Sequence, residues 1–259
     1  MKTIFVSHCQ NDWYETVGAR KLKNSAKYFY PDMDLLVHGD NIISEIRRKY
    51  SWSSWYTFDP LVAEYYVNEY DMIVHFDADS IITGPLDELM LGDFDIAGVR
   101  NNNDIGLTSR TGGLSCSHAP GTDKATQSLN AGLIASTSKA FWEEFKNRNQ
   151  ALGNQIGPGR GFGEQDVFNA IFWEGKYKAK ILDPVGSDVY YGTSQQICDS
   201  DRIESAWKRL YMHNGELYSD NKKVKVIHHA DGHRTPKLVY EGWVSPQVKN
   251  FLDEITRNK

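Results

Sequence analysis

The sequence predicts an α/β protein: a single domain on a mixed, mostly parallel central sheet, closed by a C-terminal helix. Three observations predict it. Short apolar runs of strand length alternate with segments of helical period, the order expected of a parallel sheet flanked by helices. The 259 residues suffice for a substantial core, and no repeat, low-complexity tract or linker divides them. After Ser245-Pro246, Val248, Phe251, Leu252 and Ile255 recur at the spacing of an amphipathic helix.

Residues 3–7 form a short apolar run, a buried first strand. Residues 12–28 carry a helical pattern, with Asp12 as its cap. Residues 34–38 (Asp-Leu-Leu-Val-His) read as a second strand, stopped by Gly39-Asp40. An aromatic stretch with Trp52, Trp55, Tyr56 and Phe58 follows, and Pro60 is placed to open a helix reaching Tyr70. Residues 71–76 (Asp-Met-Ile-Val-His-Phe) predict a third strand running straight into Asp77-Ala78-Asp79. Residues 94–99 and 129–135 predict two more strands. Between them, 101–128 is rich in Asn, Ser, Thr and Gly, and a stretch of that length inside a compact domain reads as a functional loop or lid. Ser138 caps a helix with Phe141 and Phe145 on one face. A glycine-rich link, 157–163, leads to a second helix over 164–173 with Val167, Phe168, Ile171 and Phe172 inward. Residues 224–228 predict a late strand.

Composition excludes several classes of function. The net charge of −5 leaves no basic face for a phosphate backbone, so nucleic acid is not an expected partner. No polybasic run marks a membrane surface, and no segment approaches the length of a transmembrane helix. The apolar stretch near Met1 is three residues long, too short for a signal-peptide core, so a soluble, cytoplasmic setting is expected. Cys9, Cys116 and Cys198 have neither disulfide nor zinc spacing. Aromatic residues make up 12% of the chain, an excess that suits ring stacking on sugars or bases and equally an aromatic-rich core.

The chemistry concentrates at Asp77-Ala78-Asp79. Two carboxylates one residue apart, just past an apolar strand, sit where open α/β sheets bind ligands. Oxygen ligands there suit Mg²⁺ or Mn²⁺, which would neutralise a leaving diphosphate. Alone the tripeptide is a weak signal, common by chance in acidic loops. Residues 157–163 lack the Gly-Lys-Ser/Thr ending and preceding strand of a phosphate loop. A haloacid-dehalogenase loop would need Thr where Ile81 stands.

Asp77-Ala78-Asp79-Ser80-Ile81-Ile82, followed by Pro85-Leu86-Asp87-Glu88-Leu89, resembles the DxD region of the retaining glycosyltransferases of family eight. Glycogenin and the lipopolysaccharide galactosyl- and glucosyltransferases belong to that family. Further segments are similar in the expected order: Asn11-Asp12-Trp13-Tyr14, Asn130-Ala131-Gly132, Glu164-Gln165-Asp166-Val167-Phe168-Asn169, and Val226-Ile227-His228-His229-Ala230-Asp231-Gly232-His233-Arg234-Thr235-Pro236-Lys237. The resemblance implies a single GT-A domain over 1–259, with a nucleotide-binding half at 1–100, a donor and acceptor half at 101–243 and the C-terminal helix at 244–259. It implies nucleotide contacts from Asp12 and Tyr14, and donor-sugar contacts from Asn130 and Gly132. Asp77, Asp79 and His229 would be metal ligands, and an imidazole beside two carboxylates favours Mn²⁺ over Mg²⁺. Gln165 would lie beside the anomeric carbon, flanked by Glu164 and Asp166, and Gly232 would form a tight turn. The family's lysine is Thr235 here, so a base for the diphosphate must come from Arg234, Lys237 or His233.

The function these motifs imply is transfer of a hexose-type sugar from a nucleotide diphosphate sugar, UDP-linked in the nearest pattern, to a hydroxyl of a carbohydrate or glycoconjugate acceptor, with retention. Three alternatives stay open: an inverting enzyme with Asp166 or Glu164 as general base, a metal-dependent phosphotransferase, and a non-catalytic sugar-binding module.

Overall fold

The computed structural model describes residues 1–9, 18–39, 41–42, 44–45, 59–100, 129–156, 163–184, 186–191, 207–228 and 242–257. The first strands are β1 (Thr3–His8), β2 (Asp34–His38), β3 (Met72–Phe76), β4 (Ser80–Ile82), β5 (Ile96–Arg100), β6 (Leu129–Ser136) and β7 (Ala179–Ile181). All but β4 join one six-stranded sheet in the order β2-β1-β3-β6-β5-β7. β1 runs parallel to β2 and β3, and β7 runs parallel to β5. Only β6 is reversed, antiparallel to both its neighbours. The sheet is mixed and mostly parallel, as the sequence predicts. Because β6 is reversed, its first residues lie at the same edge as the last residues of β3 and β5.

Both faces of the sheet are covered, which is why its strands read as near-continuous apolar runs. On one face Ile4, Val6, Ile73 and Ile134 meet Phe141, Phe145, Phe168 and Ile171. The last four come from two helices, α3 (Lys139–Ile156) and α4 (Gly163–Glu174); earlier in the chain lie α1 (Ala19–Phe29) and the single turn α2 (Asp87–Met90). On the opposite face Phe5, Met72, Val74 and Phe76 pack under Leu22 and Ala26 of α1. Part of the aromatic excess resolves as packing. Phe141 stacks on Phe145 at 5.5 Å between centroids and meets Phe168 and Tyr177 edge-on.

Four local expectations change. The first helix begins at Ala19, because Gly18 sits at φ 96°, outside right-handed helical space; residues 10–17 lie outside the described part. The segment opened by Pro60 is a 3₁₀-helix, Asp59–Tyr66, not an α-helix. Leu61, Val62 and Ala63 are buried in succession, so this segment follows the shape of the core without a 3.6-residue stripe. The late strand divides at Lys225 into β11 (Lys222–Val224) and β12 (Val226–His228). The chain changes sheets there. β11 belongs to a four-stranded sheet with β8 (Val189–Tyr190), β9 (Leu210–His213) and β10 (Glu216–Ser219), and β12 pairs with β4. The fourth change is β4 itself, which the sequence pattern does not separate from the acidic loop before it. The expected lid at 101–128, the aromatic stretch 52–58 and most of the glycine-rich link lie outside the described residues.

Lys225 holds the junction. Its N–H donates to the Tyr190 carbonyl at 2.8 Å, its own carbonyl accepts from Thr83, and its buried side chain reaches the Pro85 carbonyl and Asp87. The C-terminal helix α5 (Pro246–Thr256) is capped by Ser245, whose hydroxyl accepts from the Val248 N–H. Val248, Leu252 and Ile255 close a third cluster over Ile81, Leu217 and Ile227. Ser25 of α1 ties this assembly to the main sheet: its buried hydroxyl accepts the Ile82 N–H at 3.0 Å and donates to the Leu22 carbonyl. Ser25→Ala leaves the Ile82 N–H buried without an acceptor and is expected to cost about 1–3 kcal/mol, measured by urea unfolding.

Candidate active site

The ends of β3, β5 and β7 and the start of β6 share one edge of the sheet, and the acidic tripeptide sits there. β3 delivers Phe76 and the chain turns through Asp77-Ala78-Asp79, with the Ser80 N–H bonded back to the Asp77 carbonyl at 3.1 Å. β4 then leaves antiparallel to β12, pairing Val226 with Ile82, Ile227 with Ile81 and His228 with Ser80. That register delivers an imidazole beside the carboxylates. His228 Nε2 lies 3.1 Å from an Asp77 oxygen and 3.2 Å from an Asp79 oxygen.

His229, the ligand expected from the resemblance, lies outside the described residues, as do Asp12, Tyr14, Gly232, His233, Arg234 and Lys237. Among the described residues the imidazole that meets both carboxylates is its neighbour His228, one position earlier in the same C-terminal segment.

Strand β6 departs from regular pairing at the same place. Gly98 lies opposite Ile134, but Val99 lies opposite Asn130, so Ala131, Gly132 and Leu133 have no partner on β5. Such an interruption frees main-chain groups and re-aims side chains. Two residues that the sequence marks supply side-chain acceptors for main-chain N–H groups of this stretch. The Gln165 side-chain oxygen accepts the Ala131 N–H at 3.1 Å, and the Asn130 side-chain oxygen accepts the Gly132 N–H at 2.7 Å. The Gly132 carbonyl accepts the Asp77 N–H at 2.9 Å. Gly132 also makes room for the histidine: a Cβ there would overlap the His228 ring at Cε1 and Nδ1. Gln165 and Glu164 are buried in the first turn of α4, and Asn130 is buried at the start of β6. Asp166 lies on the same turn.

Asp77 is the open member of the acidic group, its side chain 34% exposed against 5% for His228. Burial alone would push the His228 imidazole down, but the Asp79 charge and the bonds to both carboxylates outweigh it and hold the ring protonated, up to about 10. Burial works against the Asp77 carboxylate too, and its bond to His228 overcomes that and keeps it below the usual range. His75, two residues before Asp77 and fully buried, is held neutral: burial lowers it to about 4 against the pull of Asp77.

Asp77, Asp79 and His228 form a group that could hold a metal ion, their ligand atoms all within 4.8 Å of one another. The donor set fits a divalent cation: two carboxylate oxygens and an imidazole nitrogen in the order Asp-x-Asp…His. The Nε2-to-oxygen separations approach the roughly 3 Å edge of an octahedron with ligands at about 2.1 Å. They are equally hydrogen-bond distances, so in this structure the imidazolium bridges the carboxylates as an ion would.

Compared with solved structures, nearly the whole chain matches three glycosyltransferases. The apo WbbM bifunctional glycosyltransferase aligns at TM-score 0.58 and 13% identity, over 99% of this chain and 50% of its own. The galactosyltransferase LgtC, in complex with donor and acceptor sugar analogues, aligns at 0.58 and 12%, over 99% and 97%. Apo GlyE of Streptococcus pneumoniae TIGR4 aligns at 0.54 and 12%, over 100% and 60%. The fold is that of the GT-A glycosyltransferases. At these identities the likeness is one of fold, and this chain spans half the length of WbbM. No protein-family model and no curated protein matches the sequence. Among the described residues no helix is long and apolar enough to cross a membrane.

Two outcomes follow from the geometry. Because His228 is protonated up to about 10 in the metal-free protein and a ligating imidazole must be neutral, Mn²⁺ binding at pH 7 is expected to release about one proton. Apparent affinity then rises about tenfold per pH unit through the neutral range, read by calorimetry in buffers of different ionisation enthalpy. Gly132→Ala, which drives His228 off the carboxylates, is expected to weaken Mn²⁺ binding about 10–100-fold in the same titration.

Proposed function

We propose that this protein is a metal-dependent glycosyltransferase of the family-eight type, moving a hexose from a UDP-sugar to a hydroxyl of a carbohydrate or glycoconjugate acceptor. The observation that carries this reading is the convergence of Asp77, Asp79 and His228 at the strand edge where a GT-A fold accepts its donor. Mn²⁺ is the ion the mixed oxygen and nitrogen donor set suits best. Held by these three residues, it would neutralise the charge of the departing nucleoside diphosphate. His228 takes here the third-ligand role that the resemblance gave to His229. Residues 1–100 would carry the nucleotide, with Asp12 and Tyr14 against it, and Gly232, Arg234 and Lys237 would line the diphosphate.

The hydrogen bonding of Gln165 supports a role as donor. The partner of the Ala131 N–H must be the side-chain oxygen, because an amide nitrogen cannot accept, and this leaves the –NH₂ end for a ligand. Gln165 therefore donates to a sugar oxygen near the anomeric carbon and is not a nucleophile. Without a carboxylate at that position, the acceptor hydroxyl attacks C1 from the face the diphosphate leaves. The new C1–O bond forms as the C1–O–phosphate bond breaks, the acceptor's proton passes to the departing phosphate oxygen, and the anomeric configuration is retained. Asn130 and Gly132 frame the sugar from β6.

The test is nucleotide release from UDP-, GDP- and dTDP-sugars with Mn²⁺ or Mg²⁺ and a panel of glycan acceptors. UDP release with Mn²⁺ is expected, and Asp79→Asn is expected to lower it roughly 10²–10³-fold with the circular-dichroism spectrum unchanged. Absence of release from every donor overturns the reading. The product's anomeric configuration, read by NMR, tests retention: an inverted product gives Glu164 or Asp166 the part of general base. Gln165→Glu keeps the Ala131 bond but loses the donor, and is expected to lower kcat with little change in metal affinity.

A further inference from the structure

We infer that Asn169 is the positioning residue of this site, holding the interrupted stretch of β6 in the one arrangement that sets Gln165. The inference rests on the glycosyltransferase reading for its kinetic consequences, but its structural core does not. Asn169 is fully buried in the second turn of α4. Its carboxamide makes three hydrogen bonds, all to main chain. The side-chain oxygen accepts the Leu129 N–H at 2.6 Å, and the –NH₂ donates to the Leu129 carbonyl at 2.8 Å and to the Gln165 carbonyl at 2.7 Å.

The first two bonds treat Asn169 as a strand residue: donor and acceptor both face the main chain of Leu129, at the first position of β6. The third reaches one turn back along α4 to the residue that meets the site. One side chain thus locks the first turn of α4 to the start of β6, and two residues further along that strand Gln165 accepts the Ala131 N–H. The amide orientation of Asn169 is settled by its partners, since only its oxygen can accept an N–H and only its nitrogen can donate to two carbonyls.

Ordinary packing would seat the helix without such a clamp. Phe168, the preceding residue, already does so: its ring lies against Gly98, where a Cβ would come within 2.8 Å of the ring edge. What packing does not supply is direction. Apolar contact between α4 and the sheet tolerates small slides, whereas three hydrogen bonds from one planar amide fix translation and rotation together. A buried amide that spends three of its four hydrogen-bonding positions on two main-chain segments specifies geometry beyond what burial requires. The same clamp explains why β6 can leave the β5 ladder at Ala131–Leu133 without losing its course, since Leu129 is held on its free side.

Asn169→Ala is compared with Phe168→Leu, which loosens the same helix and leaves the three bonds intact. Asn169→Ala is expected to lower kcat for UDP-sugar turnover about 10–100-fold, with the donor KM and the Mn²⁺ affinity within about twofold of the parent. Phe168→Leu is expected to lower stability and leave kcat within about threefold. Equal losses of kcat in the two variants, scaled to their loss of stability, overturn the inference and make Asn169 a packing residue. A readout free of catalysis uses the unaltered protein: both Nδ2 protons of Asn169 and the Ala131 N–H are expected to exchange with solvent near the rate of global unfolding, by NMR. Fast exchange at Asn169 overturns the clamp whatever the protein's activity. Slow exchange in a protein that turns over no sugar nucleotide upholds the clamp and overturns only the glycosyltransferase reading.

Discussion

Everything at the sheet edge depends on three residues that leave a ladder. Between Asn130 and Ile134, strand β6 gives up its pairing with β5, and backbone groups that a regular sheet would consume become available. Buried N–H and carbonyl groups must find partners, so the interruption obliges side chains to approach. Gln165 and Asn130 answer from two different elements. The same break brings a glycine to the surface of the strand, and the His228 ring occupies the volume that any larger residue would fill.

The acidic pair and the histidine show how a charged centre can be buried without instability. Two carboxylates so close would repel, and each loses hydration. The imidazolium between them compensates both at once, which is why burial fails to push His228 down or Asp77 up. The arrangement also defines an exchange of charge. Asp77, Asp79 and His228 would hold a divalent ion only with the imidazole neutral, so binding would exchange a proton for the metal.

The sequence made much of the scaffold legible. Strands at 34–38 and 129–136, the capped helix after Ser138 and the final helix after Ser245-Pro246 follow from apolar runs, caps and a proline at the first turn. The acidic tripeptide declared itself by following an apolar strand. His228 lay within the C-terminal segment without being marked as the carboxylates' partner, for a physical reason: its meeting with them comes from pairing β12 with β4, a partnership between short segments that no local pattern encodes. Counting back from Gly232 points to His229, which lies outside the described residues, while strand register brings His228 to the carboxylates. The 3₁₀ geometry of 59–66 was hidden because burial there follows the neighbouring helices and not a periodic face. The register break in β6 left only an Asn-x-Gly as its trace, and that pattern marks many turns.

The pairing of β4 with β12 has a consequence in time. Thr83 bonds to Val224 across 141 positions of the chain, and Lys225 to Asp87 across 138. Closing a loop of that size costs about 4 kcal/mol of chain entropy before any contact formed by it is gained. Contacts so distant in sequence form slowly, and a sheet of β1, β2 and β3 has no need to wait for them. The carboxylates therefore meet their histidine only when that long loop closes and β12 docks on β4. Without β12 docked on β4, the acidic loop has no His228 imidazole to balance it.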